Sequence, residues 1–412
     1  MFLIIGILCL LNAAIGAPYR TMVVPDANIA TLQVTQNGDQ LSRPVVALGE
    51  GVIDIDFDEL SYVPKNFYYK VMHCDAHWMP SDLMTMEYID GMDDIMIDDY
   101  EFSQNTVREY IHYHVAFPND NVRLTKSGNY AVVIAEDNDF DNGVVAVACF
   151  SVVEPLTSVT GEVSATTLKG VNGEYQQLSL ELNADMVHPR NAMTDFTLLV
   201  RQNGRYDNEV YVSTPAMMTG SRVKYVNLPD LTFEGGNQYR SVDFSSRYTY
   251  GSGIDRFVYD DTIYHVLLEP DYFDFRRRTY AEDARGGFVV NHQGSGEYSR
   301  IEADYVYVDF RVPCKAPFID GKVYLLAGGT YNMLDGTTLM DYDFEHNEYY
   351  KAVLMKQGGY NYQYVFQPKS GDVTTMKRTE GSFWQTANRY EIMVYYRPAG
   401  ERYDRLVGYF EL

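Results

Sequence analysis

Apolar and polar residues alternate with a period of two through most of the patterned segments of this chain, which predicts strands. In VIDIDFDEL, Ile53, Ile55 and Phe57 fall on one face and Asp54, Asp56 and Asp58 on the other. That is the pattern of an antiparallel strand buried on one side only. Similar patterns run over residues 29–34, 44–48, 67–74, 110–117, 130–136 and 143–154, with Gly- and Asn-containing turns between them. About eight short strands at such spacing predict a β-sandwich, ended by Glu154-Pro155.

A second run of strand patterns covers 177–183, 195–205, 222–228, 264–270 and 305–312. Tyr239 to Phe273 has little clean periodicity, which predicts loops there. Pro313, Pro317 and Asp320-Gly321 mark a boundary, and further strands follow at 322–328, within 339–368, at 388–398 and at 405–412. Gln357-Gly358-Gly359 stands between two strand patterns as a hairpin turn would. No helix-period segment of useful length appears, and no repeat of 20–50 residues is visible. The expected architecture is all-β: three consecutive β-sandwich domains, immunoglobulin-like or early-set, at 18–155, 156–314 and 315–412.

Length and composition agree with this. A chain of 412 residues exceeds what one core supports, and 36 Tyr with 20 Phe favour pleated, half-buried surfaces. The net charge of −24 argues against nucleic-acid or anionic-membrane partners, which such a surface repels. Residues 1–17 (MFLIIGILCLLNAAIGA) read as a secretory signal peptide, with small residues at Gly16 and Ala17 for cleavage. No other stretch is apolar enough to insert into a membrane. The remaining Cys74, Cys149 and Cys314 form no disulfide framework, although one Cys74–Cys149 bridge and buried thiols both fit the spacing.

Candidate chemistry concentrates between Phe67 and Asn119, which holds four of the eight His, one of the two Trp and a carboxylate run. His73 and His77, four apart in a strand pattern, are too far separated to share a ligand. His112 and His114 share a strand face, but two ligands do not make a metal site. Asp90, Asp93, Asp94, Asp98, Asp99 and Glu101 read as a solvated acidic loop. The segment Asp137–Gly143 imitates half a calcium loop, but Ala148 stands where the last carboxylate belongs, so a polar turn explains it better. No nucleophile elbow, zinc-protease or phosphate-loop motif is present. The expectation is a non-enzyme with no catalytic, cofactor or metal site and with partner-binding residues unassigned.

HCDAHWMPSDL (73–83), EYIDG (87–91), DYEFSQNT (99–106), YIHYHVAFPND (110–120) and SGNYAVVI (127–134) occur in this order. Together they resemble the first domain of the type IX secretion system plug protein family of Bacteroidota. KQGGYNYQYVF (356–366) and YYRPAGERYDRLVGYFEL (395–412) are similar to the family's terminal region. The resemblance implies a periplasmic, non-enzymatic protein that binds the outer-membrane translocon barrel and seals its periplasmic opening. Loops 90–101 and 239–278, the latter with Arg276-Arg277-Arg278, are the candidate contact surfaces. The competing expectation is a secreted carbohydrate-binding or adhesion protein, with Tyr360, Tyr362, Tyr364 and Trp384 as an aromatic platform.

Overall fold

A computed structural model describes Tyr19 and residues 26–412, apart from 172, 280–283 and 372. The signal-peptide expectation at 1–17 lies outside the described residues. Almost every regular element is a β-strand, and the α-helices among the described residues are the single turns Thr85–Tyr88 and Ser299–Glu302. The strands form pairs of sheets, each pair closed on its own hydrophobic core.

In the first unit, Ile29–Gln36, Ile53–Glu59, Ile111–Phe117 and Tyr100–Phe102 make one sheet in that order. Val45–Ala47, Val144–Val153, Gly128–Glu136, Phe67–Cys74 and Ile95–Met96 make the facing sheet. Ile53, Ile55 and Phe57 point inward as their alternation predicts and pack with Tyr113, Phe67, Tyr130 and Phe150. Phe57 and Tyr113 stack at 5.2 Å between ring centres, and Phe67 meets Tyr113 edge-on at 4.9 Å. Each such fully buried side chain contributes about 1.5–3 kcal/mol through removal from water.

The expected boundary at 314/315 does not separate sheets. Tyr305–Pro313 pairs along its whole length with Glu348–Lys356, and both pack in one core with Gly358–Pro368. The last two strands, Tyr390–Tyr396 and Arg405–Glu411, leave that core. They continue the sheet of Phe196–Gln202, and their side chains fill the core of Leu178, Leu180 and Leu182. We therefore propose that the middle unit comprises 156–234 together with 390–412, and that the third unit is inserted within it. Alternation identified these strands but carries no information about which strand they pair with.

Two further expectations change. Gln357-Gly358-Gly359 is not a hairpin: Glu348–Lys356 and Gly358–Pro368 lie in different sheets, and the chain crosses between sheets at Gln357. Gln357 is fully buried there, donating its N–H to Asp304 O at 2.8 Å and accepting the Asp304 N–H on Oε1 at 3.0 Å. Gly358 permits the crossing, since a Cβ would lie 2.0 Å from Val289 O. Within 239–263, predicted as loops, stand the strands Arg240–Asp243 and Ile254–Tyr259, whereas the strand pattern at 264–270 is the strand Tyr264–Leu268. Ile254–Tyr259 is an edge strand with most of its residues exposed, so its sequence carries no burial signal.

Candidate functional site

Of the three aspartates of the Ile53–Glu59 strand, Asp58 is buried, and Asp54 and Asp56 are half-buried in the wall of a cavity. Register places Asp56 opposite His114 and Asp58 opposite His112 on the same outer face of the first unit's sheet. The third unit closes over that face. Its Lys356, at the end of the Glu348–Lys356 strand, brings Nζ to 2.5 Å from Asp58 Oδ2 and donates also to Arg300 O at 2.6 Å. Tyr305 donates its hydroxyl to the same Asp58 oxygen at 2.6 Å. Asp58 and Lys356 are each 1% exposed, so this is a buried ion pair joining two units.

The histidines complete the cluster. His112 Nδ1 lies 2.8 Å from Asp58 Oδ1, and its Nε2 lies 3.3 Å from Asp56 Oδ1. His114 Nδ1 lies 2.9 Å from Asp56 Oδ1 and its Nε2 3.8 Å from Asp54 Oδ1. A cavity of about 600 Å³ opens beside them, walled by Asp54, Asp56, Asp99 and Glu101 from the first unit and Arg300 and Lys356 from the third. Burial by itself would raise the Asp58 pKa, but Lys356 and His112 outweigh it and hold the carboxyl below its usual range. Asp56 is likewise held well below that range against the effect of burial, by its bonds to His112 and His114. Burial opposes charge on His112, yet its bonds to Asp56 and Asp58 raise its pKa. For His114 the Asp56 bond is the largest influence and raises its pKa, against burial. Burial lowers Lys356 further than Asp58 restores it.

Around the cluster, more groups tie the two units. Asp304 accepts the backbone N–H of Val107 at 2.9 Å and of Arg108 at 3.0 Å. Tyr110 donates its hydroxyl to Ala303 O at 2.9 Å, and Gln104 N–H donates to Ile301 O at 2.8 Å. Arg300 pairs with Glu101 at 3.0 Å. The arrangement can hold two sandwiches in fixed register. Among the described residues, no group of three His, Cys, Asp or Glu is disposed to hold a metal ion.

His73 is buried, with Nε2 3.1 Å from Ser127 O and Nδ1 2.9 Å from Ser81 Oγ, and burial lowers its pKa. His77 sits apart, with its ring against Tyr211 of the middle unit at 4.4 Å. The acidic run is in part ion-paired rather than simply solvated: Asp90 to Arg123, Asp94 to Lys70 and Glu101 to Arg300. The segment 137–143 is a polar turn in which Asp139 Oδ1 accepts the N–H groups of Asp141 and Asn142. The three arginines do not form one exposed patch, because Arg278 is buried against Glu380 at 2.8 Å while Arg276 is exposed beside Asp274. Tyr360, Tyr362 and Tyr364 lie in the third unit's core and present no platform with Trp384. Asp54, Asp56 and Asp58 are the residues that sequence reasoning missed. The available signal was a strand face carrying only acids, alongside another whose same-face positions carry two His.

Cys74 and Cys149 are not bridged. They flank the Gly128–Glu136 strand on opposite sides, opposite Asn129 and Ala131. Two strand spacings, about 9.5 Å, exceed the Cα separation of about 7 Å that a disulfide allows. Burial pushes the Cys74 thiol up to about 12. Native protein treated with an aromatic disulfide reagent is therefore expected to react first at the partly exposed Cys314, and at Cys74 and Cys149 only after denaturation. Equal rates at all three would contradict the burial described.

The fold and site define an all-β, multi-sheet protein whose buried polar cluster joins its units. Residues 29–154 match the family model described as type 9 secretion system plug protein, first domain. A crystal structure of a hypothetical protein from Parabacteroides merdae is 37% identical, with a TM-score of 0.90 over 95% of this chain and 98% of that one. Residues 29–154 are thus homologous to the first domain of type 9 secretion system plug proteins. This is a family of plug proteins rather than of enzymes, in keeping with a non-enzymatic role. Dimeric latent PorU from Porphyromonas gingivalis is 12% identical, covering 52% of this chain and 18% of that one, at a TM-score of 0.17. The C-terminal domain of the AgI/II polypeptide BspA from Streptococcus agalactiae is 10% identical, covering 92% and 99%, at 0.15. Neither carries an argument about this chain. No curated protein matches the sequence. No helix among the described residues is long and apolar enough to cross a membrane.

Proposed function

We propose that this chain is the periplasmic plug subunit of a type 9 secretion system, binding and sealing the periplasmic opening of the outer-membrane translocon barrel. The observation that carries the proposal is the first-domain match at 29–154. The physical properties are in keeping with it. Covering a wide aqueous opening requires a broad body whose parts do not slide under load. Fixed contacts between the first and third units supply that rigidity. The partner is a protein surface, with no nucleic acid and no insertion of this chain into lipid.

A tagged chain is expected to recover the translocon barrel under mild detergent, and its deletion to make the outer membrane leaky to large hydrophilic solutes. Recovery of no barrel, together with an unchanged permeability, would rule the function out.

A further inference from the structure

We infer that the seam between the first and third units is a pH-sensitive clasp, closed while His112 and His114 are doubly protonated and loosened when they lose a proton. His112 Nδ1 is hydrogen-bonded to Asp58 at 2.8 Å, and its buried Nε2, without a hydrogen bond of its own, lies 3.3 Å from Asp56. His114 Nδ1 is bonded to Asp56 at 2.9 Å, whereas its Nε2 stands 3.8 Å from Asp54, beyond hydrogen-bond distance but close enough for charge attraction. A neutral imidazole carries one N–H, so it would aim a lone pair at one of those carboxylates. The imidazolium instead places positive charge between the two carboxylates flanking each ring.

Charge balance gives the consequence. With both histidines protonated, Asp54, Asp56 and Asp58 are matched by His112, His114 and Lys356. With both neutral, only Lys356 and the more distant Arg300, itself paired with Glu101, oppose the three carboxylates, which leaves excess negative charge at the interface. Nearby groups do not supply the deficit. From the first unit, Asp99 adds negative charge toward His114, and Glu101 is occupied by Arg300. From the third, Tyr305 donates a hydroxyl to Asp58, which also accepts from Lys356, and Glu302 and Asp304 add negative charge toward Tyr110. Thr31 and Gln33 line the cavity without charge. Repulsion among the aspartates then favours water entering the cavity and the two faces parting.

The histidine pKa values are raised in the folded chain, so their contribution is complete below the unfolded value of about 6.5 and is lost as pH rises through the folded value. The Asp56 and Asp58 values are lowered, so their contribution is present above about 3.9 and is lost as pH falls through the folded values. The clasp is tightest between those limits.

The backbone N–H groups of Gln104, Val107 and Arg108, which donate across the seam, report its opening by hydrogen exchange. On the full mature chain, exchange at these sites is expected to rise about tenfold between about pH 6 and pH 9, beyond the intrinsic base-catalysed increase. Combining His112→Gln with His114→Gln should make exchange fast at both pH values and remove the response. Nitrogen-15 spectra of the histidine rings should show both as imidazolium at about pH 6. Neutral rings at that pH, corrected exchange that does not change with pH, or a full response in the double variant would each overturn the inference. Should the double variant not fold, the ring spectra of the unmodified chain decide.

Discussion

Lys356→Met is expected to cost about 3–5 kcal/mol of folding stability, the scale of loss when one partner of a buried ion pair is removed. Methionine fills much of the lysine stem's volume, so packing changes little and the charge is what is lost. Asp58, 1% exposed, would keep its carboxylate with Tyr305 and His112 but lose its ammonium partner. Lys356 also lies 4.2 Å from the centre of the Tyr110 ring, and that cation–π contact is lost as well, worth about 0.5–2 kcal/mol. Adding Asp58→Asn to Lys356→Met should recover a large part of the loss, since the uncompensated charge then disappears. Such coupling is about 0.5–3 kcal/mol between residues in contact. Urea unfolding of the wild type, both single variants and the double variant measures it. A loss below about 1 kcal/mol for Lys356→Met would place the pair in the class of solvated surface bridges.

The same cluster shows how far the sequence could be read. Strand alternation correctly placed Ile53, Ile55 and Phe57 in a core, because the period of two is a local property. It assigned Asp54, Asp56 and Asp58 to solvent because alternation reports which face a residue is on, and not what lies against that face. Lys356 is 298 residues from Asp58 in the chain, and no local pattern links them. The tyrosines at 360, 362 and 364 show the same limit in the other direction. Their shared face was legible, whereas burial against Phe244, Phe288 and Phe310 follows from tertiary packing. The four-residue interval between His73 and His77 was informative because strand rise alone separates them. The motifs that resemble the plug family lie mostly in the first unit, which is also where the family model matches.

Residues 315–412 expressed alone are expected to give no cooperative unfolding transition, although the sequence suggests a terminal domain there. Their strands lose partners on three sides: Arg240–Asp243 and Phe288–Val290 beside Gly358–Pro368, Tyr305–Pro313 beside Glu348–Lys356, and Phe196–Gln202 beside Tyr390–Tyr396. Deleting 390–412 from the full chain should unfold the middle unit for the complementary reason. It removes Tyr390, Ile392, Val394 and Val407, none more than 1% exposed, from that core. At about 1.5–3 kcal/mol for each such side chain, the loss is on the order of 6–12 kcal/mol. That matches the entire stability of an ordinary domain, about 5–15 kcal/mol. The insertion points lie side by side, since Asn388 Nδ2 donates to Gly235 O at 2.8 Å and Phe383 N–H donates to Gly236 O at 2.9 Å. A chain joining 156–234 directly to 390–412 through a short glycine-rich linker should therefore fold, with a dispersed amide spectrum and a single thermal transition. If 315–412 alone gave that spectrum and the joined chain did not, the third unit would not be an insertion and the C-terminal strands would belong with it.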